Sequence, residues 1–313
     1  MPQQDASPPM RVLDGVRIID MTSVVFGPYA TQMLADLGAD VIKVEPPQGD
    51  QYRYSGKPAK TRGMSPGFLA LNRGKRSIVL DLKSEDDRLI MTDLLKSADI
   101  FIHNVRMNAI SKLGFGPEET KKINDDLIYV HCVGFGSGGP YAGLQAYDDV
   151  IQAGSGAATL AGRVDGTGEA KYLPSLIADK VAGLHGAQAT LAAYIHKLRT
   201  GESQFVEVPY TPESWRIVFG VVEEPEFLEQ PGLQTVKEQF ANQHRLYQRL
   251  AELTPRKTTE EWVEQFRAAR IPCMAVKDVT DILSDPHLQA TGFFRKQIHP
   301  SEGVWHNMAP PIR

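Results

Sequence analysis

Cysteine is almost absent: Cys132 and Cys273 are the only two among 313 residues. They lie far apart in apolar contexts, which excludes a disulfide framework and makes a buried thiol the default for each. Neither sign of charge dominates. A net charge of −4 gives no electrostatic footprint for nucleic acid, so none is expected as a partner. No apolar stretch approaches the roughly 20 residues of a membrane span. The N-terminal Met1-Pro-Gln-Gln-Asp-Ala-Ser-Pro-Pro9 lacks a signal-peptide core. These absences lead to the expectation of a soluble, cytoplasmic protein that does not engage a membrane.

Metal ligands and common nucleotide signatures are missing as well. The eight histidines do not cluster. His185 and His196 are eleven apart on one helical segment, about three turns, too far to share a zinc ion. No metal is expected. His103 and His131 end strand-like runs within reach of a site there, and as isolated cases they read as hydrogen-bonded structural histidines. Gly134-Phe-Gly-Ser-Gly-Gly-Pro140 is neither a dinucleotide fingerprint, nor a phosphate loop with its Lys, nor a Gly-x-Ser-x-Gly elbow. Its glycines either let backbone approach a ligand or make a flexible turn, and the residues alone leave both open.

What is present is an alternation of strands and helices in an ordinary globular composition, 42% hydrophobic and 23% charged. Gly15–Asp20 is a compact apolar run, Thr22–Pro28 a loop, Tyr29–Leu37 a helix and Ala39–Glu45 a second strand, which together make a βαβ unit. Pro46–Arg73 has no periodicity and reads as a functional surface loop. Strands follow at Arg76–Asp81, Asp99–His103, Leu127–Val133 and Gln204–Val208, with helices at Ser84–Ser97, Ile110–Leu113 and Pro117–Ile123. The expected fold class is α/β, with a doubly wound, parallel-sheet, Rossmann-like large domain over residues 1–208. Composition changes after it. Residues 209–295 form a smaller α/β domain, mainly helical to Arg270, with Trp262, Val263 and Phe266 on one helical face, a strand at Ile271–Val276 and a short helix at Val279–Ser284. Residues 296–313 return toward the large domain.

Ligands of such sheets bind at the carboxyl ends of the strands. The loops gathered there are 21–28, 45–73, 81–84, 103–106 and 133–147. Arg53, Lys57, Lys60, Arg62, Arg73, Lys75 and Arg76 concentrate in one stretch beside that edge. Such a run is usually a solvated loop; here it also suits an anionic ligand with phosphates.

Asp179 is the candidate catalytic residue. Ile177, Val181, Leu184, Leu191, Ile195 and Leu198 recur at helical spacing, and a neighbouring stripe of Asp179, Gly183, Gly186, Thr190 and Ala193 is almost free of bulk. A first-turn carboxylate above a face open to close approach suits a nucleophile or general base. It also suits simple compensation of the helix dipole, which position alone favours.

The ordered motifs shift that balance. Leu13-Asp-Gly-Val-Arg-Ile-Ile-Asp-Met-Thr22, Gly27 through Asp50, Asn72 through Lys83, Ala98-Asp-Ile-Phe-Ile-His-Asn104, Gly134-Phe-Gly136, Ala146-Tyr-Asp148, Leu176-Ile-Ala-Asp179 and Thr200 through Val208 run in the order found in class III CoA-transferases. The chain resembles that family, which includes formyl-CoA transferase, carnitine CoA-transferase and the α-methylacyl-CoA racemases. The resemblance implies that Asp179 attacks an acyl-CoA thioester, passing through an aspartyl anhydride and an aspartyl-CoA thioester before an acceptor carboxylic acid takes the CoA. It implies no tightly bound cofactor, with coenzyme A or acyl-CoA as substrate, and an interlocked homodimer. The CoA-contacting positions it carries over are Val25, Phe26, Leu80, Asp81, Leu82, Lys83, Asn104, Val105, Arg106, Lys112, Leu144, Gln145, Ala146 and Tyr147.

Departures narrow the expectation. Val25 replaces a Gln and Pro46 an Arg of formyl-CoA transferase, which argues against formyl or oxalyl specificity. Tyr147 stands where racemases carry a catalytic His, which favours transferase over the alternative of a racemase. A non-catalytic CoA-binding protein is a third reading. Pro209 runs directly into Tyr210-Thr-Pro-Glu-Ser-Trp215, where the family has a long segment with a glycine-rich substrate loop, and terminal helices of the family are missing after Arg313. Either segments of the full protein lie outside this sequence, which is the expectation, or the gene product is internally truncated and inactive.

Overall fold

The computed structural model describes residues 11–56, 60–138, 140–142, 147–209, 221–235, 238–239, 242–269, 271, 273–278, 280–299 and 303–308. Strands β1 (Arg17–Met21), β2 (Asp40–Glu45), β3 (Arg76–Val79), β4 (Ile100–His103), β5 (Ile128–Val133) and β6 (Phe205–Pro209) form a six-stranded parallel sheet ordered β3-β2-β1-β4-β5-β6. The order reverses between β1 and β4, where connections leave in opposite directions and a crevice opens. The expected parallel α/β fold is observed.

The helices are α1 (Phe26–Asp36), α2 (Pro66–Asn72), α3 (Glu85–Lys96), α4 (Met107–Lys112), α5 (Pro117–Ile123), α6 (Asp148–Gly154), α7 (Ala157–Val164) and α8 (Ile177–Thr200). One face of the sheet packs Ile18, Ile102 and Val130 against Ala30 and Leu34 of α1 and Ala187 and Ala193 of α8. The other face packs Ile19, Phe101 and Tyr129 against Met91 and Leu95 of α3 and Ile110 of α4. Coverage on both sides explains why β4 is buried along its whole length rather than alternating.

The face of α8 that packs is the small one. Asp179, Gly183, Gly186, Thr190 and Ala193 are buried, while Val181, Leu184, Ile195 and Leu198 are 44%, 45%, 54% and 69% exposed. Glycine lets α1 come close: a Cβ on Gly183 would stand 2.9 Å from Tyr29 Cδ1 and 3.0 Å from the Phe26 carbonyl oxygen. That contact fixes the distance between the start of α1 and the start of α8.

Other expectations are corrected. The 46–73 stretch is not structureless, since it holds a 3-10 turn at Gln51–Tyr54 and α2, which Ser65 caps by accepting the Phe68 N–H. The run at 271–276 is not a strand: its described residues pair with no strand, and the chain is held instead by the Lys277 N–H to the Ala153 carbonyl at 3.0 Å. Cys132 is buried, but Cys273 is only half-buried. Of the short helix expected at 279–284, Ile282–Ser284 is a 3-10 turn and Val279 lies outside the described residues.

Beyond the sheet, α9 (Gln243–Leu253) and α10 (Thr259–Ala268) enclose a separate core of Val222, Leu228, Leu233, Leu246, Leu253 and Trp262. A capping box between Thr258 and Glu261 starts α10, and Trp262 stacks on Phe266. Helix α11 (Pro286–Ala290) leads to a hairpin of β7 (Phe294–His299) and β8 (Gly303–Met308). This hairpin spans residue 295.

The two glycines of α8 make a contrast that tests this packing. Gly183→Ala should cost about 1–3 kcal/mol, because its methyl meets backbone that cannot move away. Gly186→Ala should be neutral or slightly stabilising, since its Cβ would lie 3.4 Å from Ala30 Cβ in ordinary contact. Urea denaturation of both variants is the measurement.

Candidate active site

The loop between β1 and α1 is flanked by two buried lysine side chains, one holding its start and the other the first turn of α1. Lys43 Nζ, from the middle of β2, donates to the Thr22 carbonyl at 2.7 Å and pairs with Asp50 Oδ2 at 2.9 Å. Lys75 Nζ, just ahead of β3, donates to the Pro28 carbonyl at 3.0 Å and pairs with Asp20 Oδ2 at 3.0 Å. Burial pushes the Asp20 carboxyl up, but Lys75, Lys43 and the hydroxyls of Thr22 and Thr31 outweigh it and hold it near 2. Between the two anchors Val24 has φ of 70°, a costly conformation for a β-branched residue that the surrounding bonds impose. The Val24 N–H donates to Asp50 Oδ1 at 3.2 Å. The loop then presents the Phe26 N–H, at the start of α1, to Asp179.

Asp179 is 4% exposed in the first turn of α8. The dipole of its own helix does not serve it alone, because Asp148 Oδ1 accepts the Ala178 and Asp179 N–H groups at 2.7 and 3.1 Å. Gln152 Nε2 donates to the other Asp148 oxygen at 2.5 Å, and Gln152 Oε1 accepts the Leu173 N–H at 2.8 Å. Burial, then the charge of Asp148, push the Asp179 pKa up to about 7 against the opposing Phe26 N–H. A carboxylate so placed is more basic than an ordinary aspartate and, once ionised, more nucleophilic, which suits covalent catalysis near neutral pH.

A cleft of about 410 Å³ opens over the carboxyl ends of β1 to β4. It gathers Leu80, Asp81, Leu82, Lys83, Asn104 and Val105, six of the carried-over CoA positions, with Met21, Ser23, Pro46, Pro47, Gln48 and Asp50. Asn104 also ties two loops together, accepting the Ser23 N–H at 3.1 Å and donating to the Ser23 carbonyl at 3.0 Å. Val25 and Phe26 are buried at the head of α1, away from the cleft lining. Arg106 and Lys112 are exposed at the two ends of α4, and Tyr147, half-buried ahead of α6, packs on the large-domain core. Leu144, Gln145 and Ala146 lie outside the described residues.

The basic stretch is largely committed elsewhere. Arg53 forks onto Glu45 at 2.6 and 2.7 Å, Arg73 pairs with Asp36, Arg76 with Asp40, and Lys75 with Asp20. Lys60 and Arg62 are exposed, and Lys57 is outside the described residues. His103 and His131 are structural: they stack at 4.6 Å, His103 Nδ1 accepts the Val105 N–H, and His103 Nε2 lies 2.7 Å from the Tyr129 hydroxyl. Burial lowers the pKa of both rings. The residues that sequence reasoning missed are Tyr52, Gln152 and the Lys43–Asp50 pair. Lys43 and Asp50 lie in the Gly27–Asp50 motif but with no sign of their pairing, Tyr52 and Gln152 stand in no recognisable motif, and only the topology brings these residues to the site.

The fold and this site define a doubly wound α/β protein with a cleft at the sheet's carboxyl edge and one buried, protonatable aspartate between two helix starts. The profile of CoA-transferase family III matches residues 13–211 and 208–313, and the chain belongs to that family. It is 40% identical over 202 residues to succinate–glutarate CoA-transferase of Agrobacterium fabrum, an alignment covering 63% of this chain and 50% of that protein. The chain thus spans about half the length of that relative. It is 28% identical over 369 aligned residues to formyl-CoA:oxalate CoA-transferase of Streptomyces coelicolor, covering 97% and 89%. Among solved structures, a CaiB/BaiF family protein from Brucella suis superposes with a TM-score of 0.60 at 27% identity, covering 95% of this chain and 94% of that one. No helix among the described residues is long and apolar enough to cross a membrane.

The raised Asp179 pKa has a stability consequence. The folded value lies above the ordinary 3.8, so the protein loses stability as pH rises from about 4 through about 7. Asp179→Asn escapes that loss. Its thermal stability relative to wild type should rise across this interval and level off by pH 8, at a gain of at most ~4 kcal/mol. Asp148→Asn should lower the Asp179 midpoint below about 7, read as an acid shift in carbodiimide labelling of Asp179.

Proposed function

We propose that this chain moves CoA from an acyl-CoA to a carboxylic acid, with Asp179 as the covalent nucleophile. The observation that carries the reading is the Asp179 carboxyl itself, buried, raised to about 7 and held by the first amide of α1. The loops that frame it also line the cleft to which the carried-over CoA positions belong. The named relatives exchange CoA between small acids, which supports the same class of substrate here.

An ionised Asp179 oxygen attacks the thioester carbon, and collapse of the tetrahedral adduct expels CoA as its thiolate and leaves an acyl-aspartyl anhydride. The thiolate returns to the aspartyl carbonyl, freeing the donor acid and forming aspartyl-CoA. The acceptor carboxylate attacks that thioester, and the second anhydride is opened by CoA to give the new acyl-CoA and regenerate Asp179. Each thioester is exchanged for another, so the sequence calls for no metal or organic cofactor. Helix-start amides at α1 can meet the oxyanions that form.

The active unit we infer is a homodimer. The exposed row of Val181, Leu184, Ile195 and Leu198 on α8 supports it, as an apolar face that no described element covers. Leu184→Lys should shift the protein to monomer in light scattering.

Hydroxylamine added during turnover with succinyl-CoA and glutarate should mark Asp179 in peptide mass analysis, and Asp179→Ala should transfer no CoA. Label at another carboxylate, or α-deuterium exchange without transfer, would reject the reading.

A further inference from the structure

We propose that Tyr52 is a catalytic residue, its phenolic hydroxyl donating to the thioester carbonyl oxygen as Asp179 attacks. The proposal rests on the transferase reading and supplies the side chain that meets the charge developing there. Tyr52 lies in the 3-10 turn after β2, and both its backbone and its ring are tied in place. Its N–H donates to Asp50 Oδ1 at 2.9 Å, the same oxygen that takes the Val24 N–H. One buried carboxylate thus joins Tyr52 to the chain just before Phe26, whose own N–H holds Asp179. The Tyr52 carbonyl accepts from Ser65 Oγ at 2.6 Å, and Ser65 caps α2.

The ring lies across Gly67. A Cβ there would stand 2.5 Å from Cε1, 3.0 Å from Cζ and 3.1 Å from the hydroxyl oxygen, so the absence of a side chain at 67 is what admits the phenol. The ring is half-buried, and among the described residues nothing takes its hydroxyl. Burial first, then the charges of Asp179 and Asp50, raise the phenol's pKa. It is therefore a neutral donor at any physiological pH, close enough to feel the nucleophile's charge yet not bonded to it. A half-buried phenol with no acceptor among the described residues, tied through Asp50 to the loop whose next amide meets Asp179, is placed to donate to the substrate.

The electron count is simple. As an Asp179 oxygen bonds to the acyl carbon, the carbonyl π pair moves onto the carbonyl oxygen, and Tyr52 meets it with a hydrogen bond while keeping its proton. The pair then returns, the C–S bond breaks, and CoA leaves as thiolate.

Tyr52→Phe keeps the ring on Gly67 and removes only the donor. The expected result is a fall of about 10²–10³-fold in kcat/KM for acyl-CoA, with CoA affinity and melting temperature unchanged and Asp179 still labelled by hydroxylamine. Gly67→Ala displaces the ring and should lower kcat/KM as well. Its cost should largely vanish in the Tyr52→Phe background, a non-additivity that a purely structural ring would not show. A Tyr52→Phe enzyme with wild-type turnover overturns this proposal and leaves the transferase reading standing. Loss of melting temperature and CoA affinity in parallel with turnover also overturns it. A wild-type protein that transfers no CoA overturns both.

Discussion

Two lysine ammonium groups buried beside the sheet govern the rest of the structure. Lys43 and Lys75 are each 1% exposed in their side chains, and they hold the two flanks of the β1–α1 turn, Lys43 at the Thr22 carbonyl and Lys75 at the Pro28 carbonyl in the first turn of α1. Burying an ammonium is unfavourable unless a carboxylate and further hydrogen bonds surround it. Asp20 and Asp50 supply the charges, and the loop carbonyls supply the bonds. The loop is therefore part of the ions' solvation. It cannot move without stranding a charge, and that rigidity sustains the left-handed Val24 and aims the Phe26 amide at Asp179.

From this anchor the site is assembled by helices meeting at their starts. Glycine at 183 brings α8 against α1, so a carboxylate on one helix lies at the amide end of the other. Asp148 takes up the amides of α8 that would otherwise stabilise the Asp179 anion, and its own charge adds to the effect. The Asp179 pKa is thus set by a balance among burial, one negative neighbour and one donated hydrogen bond. Outside the sheet, Tyr247 donates to Asp149 at 2.8 Å, and Tyr141 just after the glycine-rich loop stacks on His287 and donates to Asp285. The first contact ties α6 to α9 of the smaller core, and the second ties the segment after the glycine-rich loop to the start of α11.

The sheet strands were legible in the sequence because buried parallel strands are short continuous apolar runs between breakers, and Asp179 was legible because a small-residue stripe followed it. The orientation of α8 was not. Periodicity finds an apolar row, but it cannot tell that the small stripe packs closer and that Val181 and Leu184 face outward. The basic stretch was visible as charge, yet its pairing with Asp20, Asp36, Asp40 and Glu45 is set by how the 46–73 segment and β3 pack on β1, α1 and β2. The apolar run at 271–276 looked like a strand because apolar character says nothing about whether a pairing partner exists. Tyr52 gave no signal at all, since its significance lies in Gly67, fifteen positions on.

The strand order has a kinetic consequence. The first and fourth strands are neighbours, with Ile18 beside Ile100, so the central seam closes only after a long stretch of chain has been threaded into place. Non-local pairings of this kind are slow to form, because loop entropy is lost before any contact rewards it. The buried lysines and their carboxylates belong to the half before that seam, whereas Asn104, Asp148 and Asp179 belong to the half after it. During refolding, helical signal can therefore return well before any competent site does. A nascent chain released ahead of α8 would carry the anchored loop with no carboxylate for it to hold.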